Sequence, residues 1–83
     1  MAYNRFEKIA LKVDLPAHKL RRGDVATIVE THKGGSGQEP GYSLEVFNAI
    51  GDTLAVVTVR ESQIEALDRD EILHVRRLEG APA

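Results

Sequence analysis

Two runs of alternating side chains, Tyr42 to Phe47 and Thr53 to Val59, are joined by the short link Asn48-Ala49-Ile50-Gly51-Asp52. Successive side chains point to opposite faces of a strand, so two such runs around a glycine-containing link predict an antiparallel hairpin. No other feature restricts the fold as much. If Asn48 faces Thr53, then Tyr42, Leu44 and Val46 share one face with Ala55, Val57 and Val59, and that face is the core. The other face carries Ser43, Glu45 and Phe47 beside Leu54, Val56 and Thr58, which is unusually apolar for a face in water. A slip of one residue in one strand would turn Leu54 and Val56 inward, so this assignment depends on the turn.

The rest of the chain supplies partners for the hairpin. Phe6 to Val13 has period two, with Ile9, Leu11 and Val13 on one side and Lys8, Ala10 and Lys12 on the other. This predicts a strand with one wet face, ended by Asp14-Leu15-Pro16 because proline lacks the N–H a ladder needs. Leu20-Arg21-Arg22-Gly23-Asp24 reads as a turn, with Gly23 suited to a positive φ, before a strand rich in β-branched residues from Val25 to Thr31. Lys33 to Gly41 holds four glycines and a proline, and is expected to be a flexible loop between strands. Ser62-Gln63-Ile64-Glu65 fits a capping box and predicts a short helical turn, with Ile64 and Leu67 toward the core. Asp68 to Glu71 is a charged turn. Ile72 to Leu78 fits either a strand or part of a helical stripe, and a last strand is preferred because it would cover a sheet edge.

The elements add up to a mainly β fold, a small SH3-like barrel of about five antiparallel strands with a short helical turn before the last. With 83 residues, the chain is expected to form one domain over 1–83, with an ordered core over about 6–78 and the flexible glycine-rich loop at 33–41. A chain this short buries only roughly 60–65% of its unfolded surface and leaves little room for a deep cleft. It has no cysteine, which excludes disulfides and thiolate zinc sites and favours a reducing cytoplasm. No stretch approaches the length of a membrane span, and the charged N-terminus lacks the apolar run of a signal peptide. The net charge is −2, without the basic excess usual in nucleic-acid binders.

The run Asp14-Leu15-Pro16, followed by Leu20-Arg21-Arg22-Gly23-Asp24-Val25-Ala26-Thr27-Ile28-Val29-Glu30, resembles a family of small bacterial proteins classed only as a domain of unknown function. Tyr42 to Phe47 and Thr53 to Val59 extend the resemblance, which covers roughly 6–78. The pattern Leu-x-x-Gly-Asp-x-x-Thr-Ile-Val-Glu carries it. Its centre is also similar to the short KOW-type motif of SH3-like translation and transcription proteins, which usually has glycine where Ala26 stands here. The family resemblance implies an SH3-like barrel, no known activity and no catalytic residues.

No residue constellation points to chemistry. His18, His32 and His74 stand in separate elements without metal-ligand spacing, and Asp68, Asp70 and Glu71 lack the glycine and distal glutamate of a calcium loop. Gly34-Gly35-Ser36-Gly37 runs into a strand, whereas a phosphate loop opens a helix. Ser36, Ser43 and Ser62 have no neighbouring base in the sequence. The expectation is a non-enzymatic chain with no cofactor and no metal. Its partner would be an unidentified protein, such as one encoded nearby that it restrains, or a second copy of itself.

The expected protein interface is the outer hairpin face: Phe47, Leu54 and Val56, with Glu45 on the rim. The alternative is a weak RNA- or DNA-binding barrel that uses Arg21, Arg22, Arg76 and Arg77, with Lys8, Lys12 and the aromatics Tyr3, Phe6, Tyr42 or Phe47 beside them. A second alternative is a domain that binds a small ligand in a concave pocket.

Overall fold

A computed structural model describes residues 2–78. It is mainly β: five strands, β1 (Lys8–Leu11), β2 (Val25–His32), β3 (Gly41–Phe47), β4 (Thr53–Arg60) and β5 (Ile64–Ala66), with 3-10 turns at Pro16–His18 and Glu61–Gln63. All neighbouring strands run antiparallel in one open sheet, in the order β4-β3-β2-β1-β5. A helical turn stands before the last strand, as the sequence predicts.

The hairpin has the expected register along most of its length. Tyr42 pairs with Val59, Leu44 with Val57 and Val46 with Ala55. Tyr42, Leu44, Val46, Val57 and Val59 are buried, and Ala55 packs against them. The turn end differs from the expected pairing: the register shifts after Val46, so Phe47 faces Thr53 and Leu54 is the extra residue of a bulge. Asn48 closes the turn with Asp52 instead of facing Thr53. Its N–H donates to the Asp52 carbonyl at 2.8 Å, and its side-chain oxygen accepts from the N–H groups of Ile50 and Asp52. Gly51 takes the positive φ, +94°, that closing this turn requires.

Strand β1 is shorter than Phe6 to Val13. It lies between β2 and β5, and Ala10, expected on a wet face, is buried between its cross-strand neighbours Val25 and Glu65. A central strand has no free edge, and an alanine has little beyond its Cβ to leave in water. Val13 lies past the end of β1, where the chain leaves the sheet, and is exposed.

The C-terminal reading needs correction. The last strand is Ile64–Ala66, not Ile72 to Leu78, and residues 71–78 form neither strand nor helix. Ile64 pairs with Leu11 and Ala66 with Ile9, so β5 already occupies the free edge of β1. The alternation of residues 72–78 therefore finds the β1 edge already taken. Ile72, Leu73 and Val75 stand 93%, 68% and 83% exposed. Alternation is a local property, whereas a strand needs a vacant neighbour.

The helical turn also starts two residues earlier than the capping box suggests, with Arg60 and not Ser62 at the N-cap. Ser62 lies inside it, and Gln63 caps it by accepting the Arg60 N–H at 2.8 Å. Leu67 is half-buried. The charged turn at 68–71 is present, with the Glu71 N–H donating to the Asp68 carbonyl and the Asp68 N–H donating to the Glu71 carboxylate.

Candidate functional site: the outer hairpin face and the arginine corner

The outer face of β3 and β4 is uncovered. Phe47 is 41% exposed, Leu54 43% and Val56 61%, and no described segment from either end of the chain lies over them. Val56 sits directly across from Glu45, and the Thr53 hydroxyl donates to Glu45 Oε2 at 2.5 Å. This bond ties the Glu45 carboxylate to the first residue of β4. The bulge at Leu54 lets Leu54 and Thr53 both sit beside Phe47 on the outer side, so the patch is contiguous. All four residues expected at a protein interface therefore share one surface.

Farther along the same strands the surface is polar. Glu30 pairs with Ser43, and Ser43 with Thr58. His32 Nε2 and Ser43 Oγ share a hydrogen bond of 2.7 Å. In sequence Ser43 has no base beside it, but a register shift in β2 between Ile28 and Glu30 brings His32 within reach. Only the register could have revealed this pair. An imidazole on a hydroxyl is the beginning of a nucleophile-activating pair, and such a pair needs a third group to orient the base. Among the described residues no carboxylate is seen bonded to the other ring nitrogen of His32.

The two arginine pairs also converge. Arg76 forms an ion pair with Asp24, its Nε donating to Asp24 Oδ1 at 2.9 Å, and it also donates to the Lys19 carbonyl at 3.3 Å. The segment after β5 is thereby tied back to the turn before β2. Acids are set among the cations. The Arg21 N–H donates to Asp24 Oδ2 at 2.7 Å, and the Arg22 N–H donates to Asp14 Oδ1 at 2.8 Å. Arg21, Arg22 and Arg77 are exposed. A shallow depression of about 180 Å³ lies beside them, lined by Asp14, Pro16, Lys19, Leu20 and Arg21.

Burial would raise the Asp24 carboxyl. The Arg76 hydrogen bond, the Arg21 N–H and the two guanidinium charges outweigh it and hold the group below its ordinary 3.8. A carboxyl depressed on folding contributes stability above its unfolded value of about 3.9, and loses it as pH falls through the lower folded value. The Asp24 carboxyl, followed by NMR, should therefore titrate below 3.8 in the wild type and move upward in Arg76→Ala, where burial is less opposed. An unchanged midpoint would mean that Arg76 does not hold Asp24 in solution.

The aromatics are divided. Tyr42 is a core residue whose hydroxyl donates to Glu61 Oε2 at 2.6 Å, and Tyr3 packs edge-on against it with ring centroids 5.7 Å apart. Fully buried, Tyr42 offers no free ring face for stacking, contrary to the nucleic-acid expectation for it, and Tyr3 is half-buried. Burial and then the Glu61 bond raise the Tyr42 phenol; that same bond and the Ala2 N–H lower the Glu61 carboxyl. Phe6 is exposed, at φ +68° and with the Arg5 guanidinium 4.8 Å from its ring centre. Lys8 and Lys12 are exposed on and just beyond β1. His18 and His74 are exposed and apart from His32, and no cluster of metal-ligating side chains occurs among the described residues. Among the described residues no helix is long and apolar enough to cross a membrane.

A family model described as "Domain of unknown function (DUF4926)" matches residues 6–66. No curated protein and no solved structure matches the chain.

Proposed function

For a chain that belongs to this family of unknown function, which takes in all five strands and stops at Ala66, we propose the role of a non-catalytic protein-interaction module, working in a bacterial cytoplasm, that binds through the outer face of its β3–β4 hairpin. One observation carries the reading: Phe47, Leu54 and Val56 form a contiguous, uncovered apolar patch on rigid paired strands, with Glu45 held at its rim. Leaving such a patch in water has a cost, and surfaces of this kind tend to be interfaces. Strands also fix the patch more firmly than a loop would. The absence of cysteine supports the reducing compartment.

A competing reading, nucleic-acid binding at the arginine corner, draws on the convergence of Arg76 with the Lys19–Asp24 turn. Two observations oppose it: Asp24 neutralises Arg76, and the Asp14 carboxylate lies at the backbone of Arg22, so the corner carries acids that repel phosphate.

The test is capture from the cells that make the protein, with and without nuclease, comparing wild type, Phe47→Glu and the pair Arg21→Ala with Arg22→Ala. The interface reading expects a nuclease-resistant protein that Phe47→Glu loses and the arginine pair keeps. Recovery of nucleic acid by wild type, lost in the arginine variant, would replace it with the second reading.

A further inference from the structure

Residues 2–5 belong to no strand, yet they dock on the sheet, with Tyr3 packed against the core. The Tyr3 ring meets Tyr42 edge-on, and its hydroxyl donates to the Ile64 carbonyl at 3.5 Å. The Tyr3 N–H donates to the Tyr42 hydroxyl at 3.3 Å, and the Ala2 N–H donates to Glu61 Oε2 at 3.1 Å. The receiving groups lie in β3, in β5 and in the 3-10 turn before β5. None lies in the connection from residues 2–5 to β1, so this niche accepts the segment whichever chain supplies it. That connection is strained. Residues 4–7 form a turn in which the Glu7 N–H donates to the Asn4 carbonyl at 3.2 Å, and its third residue, Phe6, has φ +68°. A positive φ at that position favours glycine, and for a bulky aromatic it is an outlier. Packing offsets little of this, because the ring is 68% exposed with the Arg5 guanidinium over it.

We propose that residues 2–5 exchange between two copies of the chain: the turn opens at Arg5 and Phe6, and Tyr3 of each copy enters the Tyr42–Glu61 niche of the other. Each niche then regains the same ring contact and the same hydrogen bonds. The difference between closed monomer and exchanged dimer is confined to the hinge and to the cost of association. Opening the hinge releases the positive φ of Phe6 in both chains. It gives up the Asn4–Glu7 bonds, one through backbone groups and one from the Asn4 N–H to the Glu7 carboxylate, which water replaces at small cost. Short connections under strain favour such exchange, and a reciprocal exchange is a low-cost route to a closed two-fold dimer. Four residues reach at most roughly 14 Å, so the copies meet at the ends where their niches lie. Tyr42 and Phe47 stand near opposite ends of β3, which leaves the hairpin patch outside the contact. Association entropy confines the dimer to high protein concentration.

Sedimentation velocity up to roughly 1 mM protein tests the proposal, since that range reaches weak association. The wild type is expected to pass from monomer to dimer as concentration rises. Phe6→Gly relaxes the closed turn without touching the niche and should weaken dimerisation by at least about tenfold, because the strain is released in two chains at once. Tyr3→Ala should abolish the dimer and Phe47→Glu should leave it unchanged. The chain has no cysteine, so introduced thiols report the exchange directly. Ala2→Cys mixed with Ser62→Cys, the residue next to Glu61, and treated with a short bismaleimide should give a cross-linked heterodimer. The product should disappear when the first chain also carries Tyr3→Ala. Circular dichroism of each variant checks that it is folded, and if Tyr3→Ala is not, Phe6→Gly and the cross-link decide.

A wild type that stays monomeric throughout overturns the proposal, as does a dimer that Phe6→Gly leaves unchanged or strengthens. A dimer without the cross-link between positions 2 and 62 overturns it too. A dimer that Phe47→Glu loses and Tyr3→Ala keeps would place the contact on the hairpin face instead.

Discussion

Leu44→Ala is expected to cost about 2–5 kcal/mol, the range for a buried leucine that leaves a cavity behind. Leu44 lies in the middle of the sheet, paired with Ile28 on one side and Val57 on the other, and all three are buried. Neighbours held by ladders on both sides cannot collapse into the space. A domain of this size has a total stability of roughly 4–12 kcal/mol, so the loss takes up a large share of it. Urea unfolding followed by far-ultraviolet circular dichroism should show the midpoint fall sharply with little change in slope. Val56→Ala, one position away in the hairpin but facing water, should stay within about 0.5 kcal/mol of wild type. Similar losses for the two variants would mean that the inner and outer faces are wrongly assigned.

The second large effect is expected at Gly34. A Cβ there would overlap the Gln38 carbonyl oxygen and lie 2.6 Å from that of Glu39. Both obstacles are backbone, so the loop itself would have to move. The loop is tied to the rest of the molecule through Glu39, whose carboxylate accepts the Ser62 N–H at 2.7 Å and the Ser62 hydroxyl at 3.0 Å. Beside it the Glu61 N–H donates to the Pro40 carbonyl at 2.9 Å. Displacing 38–40 therefore disturbs the turn that leads into β5. Gly34→Ala should cost about 1–3 kcal/mol, as other substitutions that break a constrained contact do. Gly35→Ala is the control, because its Cβ would meet only the mobile end of the Gln38 side chain, at 3.4 Å. Equal midpoints for the two variants in urea would show that the close approach at Gly34 does not constrain the loop.

The hairpin and its outer face were legible because strand periodicity has only two phases and the link left little choice between them. Even a misplaced turn pairing did no harm, since the bulge at Leu54 absorbs the extra residue and returns Ala55 to the core side. The C-terminal strand was misplaced for a reason periodicity cannot register. Residues 64–66 are too few to show a pattern, yet they take the edge beside β1. The same limit hid the burial of Ala10, which depends on β1 having neighbours on both sides, and the His32–Ser43 contact, which depends on a register shift in β2. Arg76 and Asp24 lie 52 positions apart and meet through the course of the chain between them. No local pattern announces such a meeting. The family match ends at Ala66, so Asp24 lies within the matched residues and Arg76 outside them.

The two edges of the sheet, β4 and β5, are unequal, and this sets how far strand addition can go. A sheet with two open edges has two valences and adds copies indefinitely, which is the geometry of a fibril. Here β5, with its three residues and its glutamate, offers almost nothing to extend, and β4 offers a single full-length site. Any strand that takes the β4 edge uses up the capacity of the molecule for growth. Fibre formation would therefore require β5 first to be peeled from β1, which exposes Ile9, Leu11 and Ile64 together and sets a barrier comparable to opening the core.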